Sequence, residues 1–559
     1  MNRININSKS IVTTLIFSII SMSSMAQVNK QVEVTKAYIP QIESATKLRL
    51  EPDMSDTVRL EPEIDYSVTP KSIEMTLSPH LYTPATVTYW EFNRPKRNYI
   101  KAGLGYPLAS VADVYVSNAN PNMNYIVGYL NHQGQYSKLT NDYGDKLSGL
   151  NSQNRLGVAA GVILGERTLE GEFSYDIDTW SRYATLNSIT PRPLYQTLSL
   201  SGRYGDEFID FAKWNYNFEV DAKYFFGRDD SNAMVGVGAN FAKDLSKGRF
   251  SFDLGYDYIS GSGKYLNNSI SLGATYAFTS GAWNWEVGGV YYNDKVTIDS
   301  LNSSRNYILP HFSLKNSSDS CIKPFIEIDG VLNRYNYYSL VELNPYVLEG
   351  FMADENSVEY NIRGGIEGVA DEGRFSYRLF GEYSIDQNAL FWALNEVSLF
   401  DSEEISNYYT AKFGELYKFT VGGNLEYYPI GDLKFELCAF LHKYSTSKVD
   451  DVATGRPYSN IYIGGVYKFG RVKIGLSADI NGVSYTTLYV TDDSDSMQTT
   501  NSNIKIPTNV NLKAFAEVKI KNDMVLFVEG DNLTNSALYD WMGYRKYGIG
   551  VMGGVKFQF

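Results

Sequence analysis

The sequence predicts an all-β chain: a transmembrane antiparallel β-barrel of about 22 strands (range roughly 18 to 22) behind a short extended N-terminal segment. Three observations carry that prediction. Apolar residues recur with period two over long segments, and tight turns alternate with long polar loops. No stretch approaches the roughly 18 uninterrupted apolar residues that a helical membrane span needs.

The alternation is clearest from Phe211 onward. Trp214, Tyr216, Phe218, Val220, Ala222 and Tyr224 share one face, and Lys213, Asn215, Asn217, Glu219, Asp221 and Lys223 share the other. From Lys412, the set Phe413, Tyr417, Phe419, Val421, Leu425 and Tyr427 opposes Lys412, Lys418, Thr420, Asn424 and Glu426. A half-buried soluble sheet also alternates, so length decides between the two solvents. These runs extend over about 10 to 15 residues, where soluble strands cluster near 5 to 6 and tilted membrane strands need about 9 to 11.

Strands are expected to begin near residues 97, 110, 124, 153, 169, 194, 211, 232, 248, 267, 282, 306, 320, 357, 373, 411, 432, 458, 471, 505, 523 and 546. An even number places both barrel ends on one side of the membrane. Tight turns at 164–168, 244–248, 371–373, 429–432, 470–471 and 521–523 mark that side as periplasmic. The segments 138–152, 338–357, 387–409 and 490–504 read as longer external loops. Tyrosine, 45 residues in all, sits often near strand ends, where an amphipathic ring suits the membrane interface.

The first hundred residues have a different composition. None of the 46 glycines precedes Gly103, whereas 7 of the 17 prolines lie from Pro40 to Pro95. Arg3 and Lys9, the apolar run at 11–20 and Ser24-Met25-Ala26 predict a secretory signal peptide over 1–26, cleaved between Ala26 and Gln27. Cleavage there takes the formal net charge from -13 to about -15. Residues 27–96 then form an extended proline-containing segment, and 97–559 the barrel. Two readings of 27–96 stand side by side: a disordered periplasmic tail, or a segment that enters the lumen or docks a periplasmic protein.

Several function classes are excluded. The acidic balance leaves no basic excess for nucleic acid. Two cysteines, Cys321 and Cys438, make neither a disulfide scaffold nor a metal domain. His80, His132, His311 and His442 have no nucleophile motif around them, so neither an enzyme nor a cofactor is expected. Acidic clusters at Asp229-Asp230, Glu403-Glu404, Asp450-Asp451 and Asp492-Asp493 lack the spacing of a calcium loop and read as solvated loop tips.

Near the end, Val528 to Asn535 reads Val-Glu-Gly-Asp-Asn-Leu-Thr-Asn, followed by Tyr539, Trp541 and Gly543. With Asn532, Leu533 and Asn535 in place, this resembles the penultimate-strand pattern of TonB-dependent receptors. The last strand, with Tyr547, Phe557 and a terminal Phe559, is similar to the signal by which outer-membrane barrels are recognised. The resemblance covers the barrel only and implies residence in the cell outer membrane among its lipids, insertion by the barrel machinery, and substrate uptake. It further implies a periplasmic partner such as TonB, and Val32 to Lys36 is similar to a TonB box. With only 27–96 ahead of the barrel, no full plug domain is expected. A passive pore and a non-transport surface or assembly protein remain the alternatives.

Overall fold

The computed structural model describes residues 98–559 apart from 119–123, 143, 185–192, 228–229, 349–352, 354, 400–401, 448–451 and 492–498. The expected signal peptide, the cleavage pair Ala26–Gln27 and the segment 27–96 lie outside the described residues.

Twenty-two antiparallel strands form a closed barrel among the described residues. Each pairs with its sequence neighbour, and the first, Asn98–Tyr106, pairs with the last, Gly550–Gln558, from Tyr99↔Gln558 to Tyr106↔Val551. Closure removes both edges, the condition for placing a sheet in hydrocarbon. The seam is tied at its end by Asn98 and Phe559, whose backbones exchange two hydrogen bonds of 3.0 and 3.1 Å. Both barrel ends therefore lie at one rim.

Most turns at that rim are short, although 207–214 and 317–322 are longer. Gly470-Arg471 joins Ser459–Phe469 to Val472–Asn481 with Gly470 at φ +57°, the left-handed geometry a two-residue hairpin loop requires. Gly165 and Gly281 take the same geometry in 165–166 and 281–282, at φ +70° and +59°; 246–247, 431–432 and 522–523 are equally short. At the opposite, external rim, most connections are longer, although 107–108 and 299–300 are as tight as any periplasmic turn.

Facing follows the alternation. Phe218 and Val220 are exposed on the outer surface, whereas their strand neighbours Asn215 and Asn217 are buried inside. The outer wall carries Leu156, Leu200, Val237, Ile270, Phe419, Val421 and many like them, an apolar surface that only lipid satisfies.

Three expectations about loops and ends are corrected. The segment 387–409 is largely strand: Phe375–Leu399 and Ser402–Ile430 pair as far as Leu399↔Ser402, interrupted by two register shifts. Ala389 to Leu394 is apolar at every position and buried on both faces, so it lost the alternation that marks a half-buried strand. Of the segment 490–504, residues 490–491 and 499–504 lie in the paired strands Ser484–Thr491 and Thr499–Ile506, the first of which pairs in parallel with the long strand at Ala393↔Thr487. Finally, the last barrel strand begins at Gly550 and not near 546, for a reason that lies in Asn532 and Asn535 below.

Candidate functional site: a loop-closed mouth above a charged wall

Local chemistry sets the loop that precedes the last strand. Asn532 and Asn535 adopt φ of +48° and +52°, a region that asparagine tolerates better than most residues. The Asn532 side chain is fully buried and donates to the carbonyls of Ser536 (2.9 Å) and Tyr547 (3.0 Å). Its Oδ1 accepts from the Ser536 amide at 2.9 Å, and its own amide donates to Asn511 Oδ1 at 2.9 Å. Asn535 Oδ1 accepts from the Ile549 amide, and the Leu533 amide donates to the Leu512 carbonyl. The asparagines thus fold 532–549 back on itself and divert 546–549 from the strand ladder. Replacing Asn532 by alanine strands several buried backbone groups and is expected to cost about 2 to 3 kcal/mol. The cost should appear as a lower midpoint in urea unfolding of the lipid-reconstituted barrel.

Tyr547 consequently belongs to the external loops. Its hydroxyl donates to the Ser137 and Gly149 carbonyls at 2.6 and 2.9 Å, and burial pushes its phenol up to about 12. Phe557 and Phe559 stand at the other, periplasmic end with ring centroids 5.2 Å apart.

The external loops pack against one another. Trp180 ends the strand Arg167–Trp180 and Tyr183 follows it in the next connection, and Tyr346 comes from the connection between Lys323–Asn333 and Ser357–Ala370. Tyr544 comes from the connection before the last strand. These three sectors are far apart around the wall, yet Tyr544 stacks on Tyr346 with centroids 3.4 Å apart and meets Tyr183 edge-on at 5.1 Å. Trp180 meets Tyr346 at 6.3 Å. The loops therefore reach over the barrel mouth to bury one another.

Polar ties fix the same contacts. Tyr183 donates to the Arg545 carbonyl, Tyr409 to the Met542 carbonyl and Tyr195 to the Pro345 carbonyl, each at 2.9 to 3.1 Å. Burial raises the phenols of Tyr183 and Tyr544 well above their ordinary value and keeps them neutral. Gly543, at φ +84°, lies where an added Cβ would come within 2.9 Å of Ala184 Cβ, so the two loops meet at backbone distance. A short helix, Tyr337–Leu343, is capped by Asn336, and its Ser339 side chain returns the bond in a capping box. The helix buries Tyr337, Leu340 and Val341 in the same apolar core, and Tyr337 meets Phe225 at 5.8 Å.

Beneath this closure the inner wall is polar and densely ion-paired. Glu327 meets Lys315 and Arg378 at 2.7 Å and Arg363 at 3.6 Å; Glu382 meets Arg363 and Lys418 at 2.5 and 3.2 Å. Lys101 with Glu529 and Lys556 with Glu517 continue the pattern beside the seam. The histidines take strand-wall partners. His132 contacts Ser110 and Asn154, and His442 contacts Thr420 and Asn460. His311 lies between Asp329 (2.6 Å) and Glu286 (3.3 Å), a cross-strand grouping invisible to local sequence spacing. The carboxylates hold opposite ring nitrogens. Among the described residues, no three His, Cys, Asp or Glu side chains are grouped to hold a metal. Cys321 lies in a periplasmic turn and Cys438 within a strand, both as free thiols. The predicted acidic loop clusters fall largely outside the described residues.

The decisive comparison is of the barrel itself. Aligned on the FrpB iron transporter from Neisseria meningitidis, F5-1 variant, the chain gives a TM-score of 0.64 at 12% identity, covering 83% of each chain. The fold is that of a TonB-dependent-receptor-like outer-membrane barrel. The copper transporter OprC gives 0.59 at 11% identity, again over 83% of each chain. The ferripyoverdine receptor of the outer membrane of Pseudomonas aeruginosa gives 0.60 at 11%, over 84% of this chain and 72% of that one. No family model matches the sequence, and no curated protein does. All three structural neighbours are transporters or receptors, and at these identities the likeness is one of fold.

Proposed function

We propose that this receptor-like barrel takes part in substrate uptake across the outer membrane as a closed, partner-operated device and not as a passive pore. The observation that carries the reading is the packing of Tyr183, edge-on, and Tyr346, face-on, against Tyr544 from three distant sectors of the external rim. An open pore gains nothing from an apolar core built over its mouth. A barrel that opens only when a ligand or an energised partner engages needs such a core. On this reading residues 1–26 are removed on export and 27–96 contact a periplasmic partner, TonB being the candidate that the resemblance implies.

Planar-bilayer conductance tests it, with the full-length protein beside a version lacking 27–96. The expected result is negligible conductance from the full-length protein. A large steady conductance from it would sink the proposal in favour of a pore. A pull-down of a TonB C-terminal domain by residues 27–45 tests the partner. Absence of binding would leave the non-transport surface or assembly reading as the better one.

A further inference from the structure

The external end of the wall holds a buried carboxylate that pairs with no cation among the described residues. Asp294, on Trp283–Ile298, is 3% exposed. Its Oδ1 accepts from Asn267 Nδ2 at 2.8 Å and its Oδ2 from Asn356 Nδ2 at 2.7 Å. Asn267 Nδ2 also reaches the Lys295 carbonyl at 3.3 Å. The basic groups nearby are committed elsewhere: the cross-strand neighbour Arg305 pairs with Glu355, and Arg334 with Asp257 at 2.6 Å. Among the described residues no ion pair includes Asp294. A buried charge without a counter-charge is expensive.

The surrounding oxygens point to what balances it. Asn267 Oδ1, Asn356 Oδ1, Ser269 Oγ and the Tyr265 hydroxyl are all buried without a hydrogen-bond partner. Their residues are exposed by no more than 3%. Ser269 lies directly across the ladder from Asp294, with Asn267 and Tyr265 next along the same inward face. Each amide nitrogen already touches the carboxylate, so each amide oxygen lies within about 5 Å of it. Flipping either amide to satisfy its oxygen would break its bond to Asp294 and set oxygen against oxygen.

We propose that Asp294, Asn267, Asn356, Ser269 and Tyr265 form a binding site for a hard, oxygen-preferring cation of the calcium type. A single carboxylate with neutral amide and hydroxyl oxygens offers no soft ligand. It suits the adaptable coordination of calcium better than the small, water-retaining octahedron of magnesium. One formal charge predicts weak binding, with Kd on the order of 0.1 to 1 mM, as in extracellular calcium modules. Asn356 closes the connection that carries Tyr346 and the helix Tyr337–Leu343. A cation here therefore staples that connection to the wall.

Terbium luminescence on the purified, refolded full-length protein tests the site, because Tyr265 can sensitise a bound lanthanide. The expected result is tyrosine-sensitised emission that calcium displaces and magnesium does not. Asp294→Asn should remove that component, and Asn356→Ala should weaken it by about tenfold. Heat-modifiable migration confirms that each variant still forms the barrel. Emission and calcium competition unchanged in Asp294→Asn would overturn the proposal, as would no calcium-displaceable emission in the unaltered protein. Neither result bears on bilayer conductance, so this site and the uptake reading fail separately.

Discussion

Replacing Tyr544 by alanine is expected to open the external loops while leaving the barrel folded. Tyr544 is 1% exposed and its ring is shared between Tyr346 and Tyr183, so its removal deletes two aromatic contacts and leaves a cavity in the loop core. Large-to-small truncation of a buried aromatic costs about 3 to 5 kcal/mol. The barrel does not bear that cost, because the ladders that close it run below the loops and do not involve Tyr544 in any barrel pairing. The loss falls on the local equilibrium by which loops lift and reclose. At about 1.4 kcal/mol per tenfold, it raises the open population by a factor of roughly 100 or more. Trypsin cleavage at Arg182 and Arg545, both tied into the closed core, should accelerate by that factor while opening and closing remain fast relative to cleavage. Tyr106→Ala, at a residue exposed on the outer surface, is the control and should change nothing. Equal protection in Tyr544→Ala and the unaltered protein would show that the loops close by other contacts.

The contrast between wall and mouth explains how much could be read from sequence. A barrel strand is written locally, since residues two apart share a face and the chain turns back after a fixed span. The run from Trp214 to Tyr224 therefore declared its own orientation, and the strand starts fell in order around the closed wall. The mouth is written non-locally. Tyr183 and Tyr544 lie hundreds of residues apart, and nothing in either neighbourhood says that they touch. The same limit hid His311 between Glu286 and Asp329, and Asp294 beneath Asn356. Asn532 and Asn535 were singled out by resemblance, but their left-handed backbone and the shortened last strand follow only from geometry. Where an apolar run was buried on both faces, as at Ala389 to Leu394, period two vanished and a strand read as a loop.

Truncating Glu327 to alanine should be the most damaging single change in the wall. The carboxylate is 4% exposed and faces three cations from three different strands. Arg378 also rests on the Phe325 ring at 4.3 Å and Arg363 on Phe380 at 4.9 Å, so neither guanidinium is placed to swing away without losing that contact. Alanine takes the shared anion from Lys315, Arg378 and Arg363, although Arg363 keeps Glu382 and Arg378 a longer contact with Glu367 at 3.8 Å; breaking a buried pair from one side costs up to about 3 to 5 kcal/mol. Glu327→Gln keeps the shape and one acceptor and should lose less. Lys315→Ala, at a more exposed partner, should cost at most about 1 kcal/mol, because Arg378 still neutralises Glu327. Urea unfolding in lipid vesicles checks the ranking, and raised salt should rescue Glu327→Ala only slightly, since ions screen buried charges poorly. If Glu327→Ala and Lys315→Ala proved equally mild, the inner wall would have to be read as water-screened throughout. A dry, paired wall predicts the asymmetry, because Glu327 is shared by three cations whereas Lys315 is one, more exposed, partner among them.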